Sequence, residues 1–152
     1  MKRMKRDLLL EQLAHDQNYG CYSRQGFELV AWPRIADDAR FIIFADIDDM
    51  HSLNQEHGYS EVDRRIRNAL QVRSEDVMAI GRWYSGDEIV WVIQHGDPEG
   101  MIKRLQAALA KQGLSATFAF APVDRLDLVA SVAAAASQVQ AMKRARGSSR
   151  GV

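Results

Sequence analysis

The stretch Trp83-Tyr84-Ser85-Gly86-Asp87-Glu88-Ile89-Val90-Trp91-Val92-Ile93 (WYSGDEIVWVI) sets two adjacent carboxylates ahead of an apolar run. Residues 89–93 are all β-branched or aromatic, a composition that suits a buried strand. The preceding VMAIGRWY, residues 77–84, spells a second strand, and Ser85-Gly86-Asp87 is a link of hairpin length. Two acids at the mouth of an apolar strand are costly unless solvent or a ligand takes them up. The fold is therefore read from an antiparallel hairpin with acids at its tip.

Working outward, RFIIFADIDD (residues 40–49) holds an uninterrupted apolar run at 41–44 before its acids. That pattern predicts a buried central strand ending in carboxylates. Asp48 or Asp49 can cap a short helix through Met50 and Leu53 that breaks at Gly58. A second helix from about Ser60 carries Val62, Ile66, Ala69 and Leu70 on one face. Asp97-Pro98 opens another, with Ile102, Leu105 and Leu109 inward and Gly113 at its end. SATFAFAP (115–122) reads as a strand, and the alanine-rich segment from about Asp124 to Arg146 as a long last helix. Upstream, residues 4–15 suit a short amphipathic helix and 16–20 a turn. Ser23 can cap a helix that ends near Pro33. The order β-α-α-β-β-α-β-α predicts an α+β fold of ferredoxin-like or polymerase-palm-like layout: an antiparallel sheet with helices mainly on one side.

The 152 residues fit one domain, with 47% apolar and 26% charged side chains typical of a folded protein. Twenty basic residues balance twenty acidic ones, so the broad positive footprint of a nucleic-acid binder is missing. A lone cysteine, Cys21, allows neither an internal disulfide nor a cysteine-based zinc site, and points to a reducing cytoplasm. The apolar run near the N-terminus is only Leu8 to Leu10, flanked by Asp7 and Glu11, which argues against a signal peptide or membrane insertion. The expected division is an N-terminal amphipathic helix (1–15), one domain (16–146) and a flexible tail (147–152).

Asp46 and Asp48 lie two apart and project to one face of an extended strand. If that strand pairs beside the hairpin, they meet Asp87 and Glu88 at one end of the sheet. Clustered carboxylates raise one another's pKa unless cations compensate, and Mg²⁺ with nucleotide phosphates is a natural partner for such oxygens. Spacing alone leaves a second reading open. DIDD before a helix is also an ordinary cap, and SGDE an ordinary turn.

Four segments in order resemble the GGDEF domain of diguanylate cyclases. SGDEI (85–89) stands at that family's signature hairpin. FADIDDMHSLNQEHGYSEVD (44–63) is similar to its F-x-D-I-D-x-F-K-x-I-N-D-x-x-G-H-x-x-G-D segment. DQNYGCYSRQGFE (16–28) follows the register of D-x-L-T-G-L-x-N-R-R-x-F, and AASQVQAMKRARG (135–147) that of A-D-x-A-L-Y-x-A-K-x-x-G-R. The resemblance implies that Asp46, the Ile47 carbonyl and Glu88 hold Mg²⁺ or Mn²⁺, two ions per site with GTP. It gives Asp87 the variable acidic position beside the metals or the attacking 3′-hydroxyl. Asn54 and Asp63 would read the guanine edge, with Lys143 on the triphosphate and His51 on its phosphate side. It further implies a transient homodimer, with the helix near 4–15 as the one visible source of a dimer contact.

The chain also departs from that pattern. Ser85 replaces the first hairpin glycine, Ile89 the phenylalanine, and His51 a lysine. Asn18-Tyr19 replaces the turn's Leu-Thr, Trp83 stands where an arginine often precedes the hairpin, and Ala136 takes the place of an acid. The Gly-Arg ending is inverted to Arg146-Gly147. An R-x-x-D motif of the inhibitory product site would end at Ala79, whereas Arg73-Ser-Glu-Asp76 comes three positions early, so no inhibitory site is expected. Two functions fit: condensation of two GTP to cyclic di-GMP, or a catalytically degenerate module that binds GTP or a signalling partner protein.

Overall fold

The computed structural model describes residues 2–72 and 74–150. Arg73, which belongs to the early R-x-x-D, and Gly151 and Val152 of the expected tail lie outside the described residues. Four strands form one sheet in the order β2 (Val77–Arg82), β3 (Glu88–Ile93), β1 (Phe41–Ile47), β4 (Ala116–Pro122), with every neighbouring pair antiparallel. The central strands β1 and β3 are the two apolar runs that the sequence marks out.

Both faces of the sheet are covered, which corrects the expectation of helices mainly on one side. Ile43, Ala45, Ile47, Ile89 and Trp91 face α5 (Tyr59–Ala69) and α6 (Pro98–Lys111), packing with Val62, Ile66, Leu105 and Leu109. Ile42, Phe44, Val90 and Val92 face the opposite layer, made of Phe27, Ala31 and the α7 (Leu128–Arg150) side chains Val132, Ala135 and Val139. The physical reason lies in β1 itself: an unbroken apolar run has no polar face to offer water.

Helix limits shift for local reasons. Ser23 does cap the segment after the turn, accepting from Gly26 N at 3.1 Å. That segment runs past Pro33 as α2 (Arg24–Gly26), a π turn (Phe27–Ala31) and α3 (Trp32–Ile35). The widened turn, with Trp32 N bonded to Phe27 O, places Pro33 at the start of the next helical stretch, where no N–H is needed. The last helix begins at Leu128 rather than near Asp124, because Asp124 accepts from the turn amide Leu126 N at 3.0 Å and Asp127 caps the helix by accepting from Ala130 N at 2.9 Å. α7 then continues to Arg150. Neither Asp48 nor Asp49 caps α4 (Met50–His57) through its side chain; Asp49 instead adopts a left-handed backbone, φ 55°.

Helix α1 (Lys2–Ala14) touches the rest of the fold chiefly through its C-terminal end, where Ala14 is buried. Met4, Leu8, Leu9, Leu10 and Leu13 are exposed along it. Among the described residues no helix is long and apolar enough to cross a membrane.

Candidate functional site

Strand register brings the acids together. Asp46 is the direct partner of Glu88 on one side and of Thr117 on the other, so the three side chains leave the same face of the sheet, toward α7. The hairpin is tied to the end of β1 by Ile47 N donating to Asp87 O at 2.8 Å. Burial, then the neighbouring Asp87, push the Asp46 carboxyl up to about 6, against a downward pull from Lys143. Lys143 Nζ stands 3.2 Å from Asp46 Oδ1 and 3.4 Å from Asp48 Oδ1. The first contact is an ion pair off hydrogen-bond geometry, so Asp46 Oδ1 is buried without a hydrogen bond.

Asp48 is engaged by the protein itself. It accepts from Ser115 at 3.0 Å and Thr117 at 2.9 Å, and Arg146 lies 3.7 Å away while also bonding the Thr117 hydroxyl. Lys143 and Arg146 with Asp48, Asp49, Ser115 and Gly147 enclose a cleft of about 300 Å³. Two cations beside a carboxylate cluster suit a polyanion that arrives with its own metal. The inverted ending therefore still leaves Arg146 on this side of the site.

The hairpin tip is braced from below by the turn at 16–20. Tyr19 donates its hydroxyl to Gly86 O at 2.7 Å, and its ring lies under the Arg82 guanidinium, 4.2 Å from the centroid. Asp16 holds Arg82 at 2.6 Å. On the other flank, Arg24 stacks over Tyr84 at 3.4 Å and Trp83 at 4.7 Å while pairing with Glu28 at 3.0 Å. At the tip, the Ser85 hydroxyl donates to Asp87 Oδ1 at 2.5 Å.

The other expected site residues spread over α4 and α5. Asn54 Oδ1 is buried without a hydrogen-bond partner among the described residues. Burial raises the Asp63 carboxyl, Arg82 lowers it and Asp16 raises it, which puts Asp63 beside the bracing network. His51 is exposed on the first turn of α4. The structure thus unites Asp46, Asp87, Glu88 and Lys143, with Ile47 at the end of β1, and leaves His51 in solvent.

The donor set suits a hard cation. Asp46, Glu88 and the Ile47 carbonyl offer oxygens alone, and Asp46 Oδ1 has the Lys143 ion pair at 3.2 Å to give up rather than a hydrogen bond. Among the described residues no group of three or more His, Cys, Asp or Glu side chains is placed to hold a metal ion. Mg²⁺ needs none, since it uses one or two carboxylates and completes its shell with water and phosphate.

Sequence reasoning missed Ser115, Thr117, Tyr19 and Arg82. Ser115 and Thr117 carry a faint signal as two hydroxyls at strand spacing before an apolar run. Tyr19 and Arg82 carry none, because their meeting is made by tertiary contact between distant segments.

No protein-family sequence model matches this chain, and no curated protein matches it by sequence. Solved structures do. The coiled-coil and GGDEF domain of DgcB from Caulobacter crescentus, in complex with c-di-GMP, superposes with TM-score 0.71 at 15% identity, over 94% of this chain and 87% of that one. Diguanylate cyclase SiaD from Pseudomonas aeruginosa, in complex with its activator SiaC, gives 0.69 at 18% identity over 95% of this chain. This chain spans 64% of the SiaD chain. A microbial GGDEF domain studied with cyclic di-GMP gives 0.67 at 20% identity, over 87% and 93% of the two chains. The α+β fold of this chain is the fold of GGDEF domains.

Proposed function

We propose that this chain is a diguanylate cyclase-type domain that binds GTP with Mg²⁺ or Mn²⁺ and condenses two GTP to cyclic di-GMP. The observation that carries the reading is Asp46 opposite Glu88, its buried Oδ1 held only by the Lys143 ion pair, with Lys143 and Arg146 lining the adjoining cleft. In the reaction the 3′-hydroxyl of one GTP attacks the α-phosphate of the other and pyrophosphate leaves; a second, reciprocal attack closes the ring. Metal held by Asp46, Glu88 and the Ile47 carbonyl would supply Lewis-acid stabilisation of the charge on the phosphates. The chain's own part is to orient. Lys143 and Arg146 neutralise phosphate oxygens, and Asp87 sits at the hairpin tip where a 3′-hydroxyl proton can be accepted. Asn54 and Asp63 offer acceptors to the N1–H and amino group of guanine, an edge that adenine lacks. Each domain holds one GTP, so two domains must meet face to face.

A second reading is favoured by one observation: Lys143 already neutralises Asp46 and Asp48, while His51 faces solvent in place of the family's lysine. A catalytically degenerate module that binds GTP, or a protein partner, would have this geometry. Incubating purified protein with GTP and Mg²⁺ or Mn²⁺, beside an Asp87→Ala, Glu88→Ala double variant, separates the two. The cyclase reading expects cyclic dinucleotide from the wild type alone. A GTP-dependent rise in Tm without product supports the binding module. Neither product nor a rise in Tm at high protein concentration overturns both nucleotide readings.

A further inference from the structure

We propose that Tyr19 is a positioning residue for the acidic hairpin: its hydroxyl holds the Gly86 carbonyl and thereby fixes where Asp87 and Glu88 present their carboxylates. This rests on the reading of those acids as the metal and nucleotide site. The contact joins residues 67 positions apart, so nothing in the hairpin's own sequence supplies it. Within the loop, the Ser85–Asp87 hydroxyl contact and the Glu88 N to Ser85 O bond at 3.2 Å shape the turn, and Ile47 N to Asp87 O at 2.8 Å ties its far side to β1. Tyr19 anchors that turn to the core.

The anchor is stiff. Tyr19 is 2% exposed and packs in the cluster that holds Val62 and Ile66. Its backbone N donates to Asp16 Oδ1 at 3.1 Å, while Asp16 Oδ2 grips Arg82, whose guanidinium covers the Tyr19 ring. One carboxylate thus fixes both the backbone of the tyrosine and the cation on its face. Gly86 completes the fit, since a Cβ there would stand 2.9 Å from Arg82 Nη2; the hairpin backbone crosses directly over this network. Burial pushes the phenol up to about 12, so it remains a donor throughout the neutral range. In the family's register this position is a threonine, whose side chain is too short to span the same gap from the same backbone atom. The bond is therefore a feature of this chain, and it lies one residue from Asp87, whose own carbonyl receives Ile47 N at the end of β1.

A buried tyrosine can also be mere packing, and Tyr19→Phe separates the two roles because it keeps the ring and removes the oxygen. Hydrogen exchange in the nucleotide-free protein reads the anchor directly. The inference expects severalfold faster exchange at the Glu88 and Ile47 amides, with α5 and the centre of β1 unchanged. In steady-state turnover of GTP it expects kcat to fall about 10- to 100-fold, the scale of a misplaced catalytic group, with KM changed less than about 2-fold. Unchanged exchange at the hairpin overturns it, as does a uniform loss of protection across the sheet, which would mark a packing role. If the wild type shows neither turnover nor GTP-dependent stabilisation, the functional reading fails on its own, and hairpin exchange alone decides the anchor.

Discussion

Asp46 carries a cost that the proposed metal site would offset. Its carboxyl titrates near 6 in the folded chain against 3.8 for an ordinary aspartate, because burial and Asp87 oppose its charge more than Lys143 supports it. Glu88 faces it from β3, and Asp48 shares Lys143 with it. The folded state therefore holds a proton more tightly than the unfolded state between about pH 4 and 6. Stability contributed by this group falls as pH rises through that window, and above it the ionised carboxylate costs on the order of 2–3 kcal/mol. Asp46→Asn is expected to stabilise the metal-free protein above pH 6 by about that amount, and to change little below pH 4, in urea titrations at the two pH values. The same variant should abolish Mn²⁺-dependent stabilisation with GTP. Ser85 makes a second residue-level case. Its hydroxyl occupies Asp87 Oδ1, so Ser85→Gly frees that carboxylate; GTP turnover is expected to rise severalfold, and an unchanged rate would show that Asp87 is not held back by this bond.

At the level of elements, the hairpin and α7 differ from the resembled pattern together. Trp83 stands where an arginine is common and Ala136 where an acid is common, and the structure sets both on the wall of one cavity of about 310 Å³ between hairpin and helix. The two departures thus border the same space, and Trp83 at 5% exposure packs edge-on against Phe27. Trp83→Arg alone replaces a buried ring with a cation beside Arg24 and should cost about 3 kcal/mol or more in urea denaturation. Adding Ala136→Asp should recover at least about 1 kcal/mol as a coupling energy; simple additivity would mean that the two positions do not communicate. This pairing shows why the sequence was legible in parts. The strands and the acid positions could be read because β1 is an apolar run that ends in carboxylates and β3 one that begins with them, and antiparallel register fixes which residues oppose one another. The second helical layer, the π turn before Pro33 and the Tyr19 anchor could not, since each depends on which distant surface a residue meets rather than on its neighbours along the chain. His51 was placed with the phosphates by register alone, and its exposed position on α4 gives that placement no contact with the acids.

The described residues present one candidate site, whereas the proposed joining of two GTP needs two sites facing each other. Product formation per mole of protein is therefore expected to rise with protein concentration and to level off only when dimers dominate. Helix α1 gives this a structural handle. A 13-residue helix is marginal in isolation, and this one leaves Leu8, Leu9 and Leu13 at 63%, 55% and 72% exposure while the fold holds chiefly its C-terminal end. A second copy packed there would bury apolar surface that the single chain leaves in water, and would bring two domains within reach. The triple substitution Leu8→Ser, Leu9→Ser, Leu13→Ser removes that surface without touching the sheet. It should leave the urea midpoint of the domain nearly unchanged, lower turnover at low protein concentration, and shift the concentration dependence upward so that activity returns when more protein is added. The same curve for variant and wild type would exclude α1 as the dimer contact and leave the meeting of the two sites to another surface. A loss of activity that no concentration restores would instead place α1 in the folding of the active hairpin, through the Ser23 to Ala14 bond at 3.0 Å that joins helix and turn.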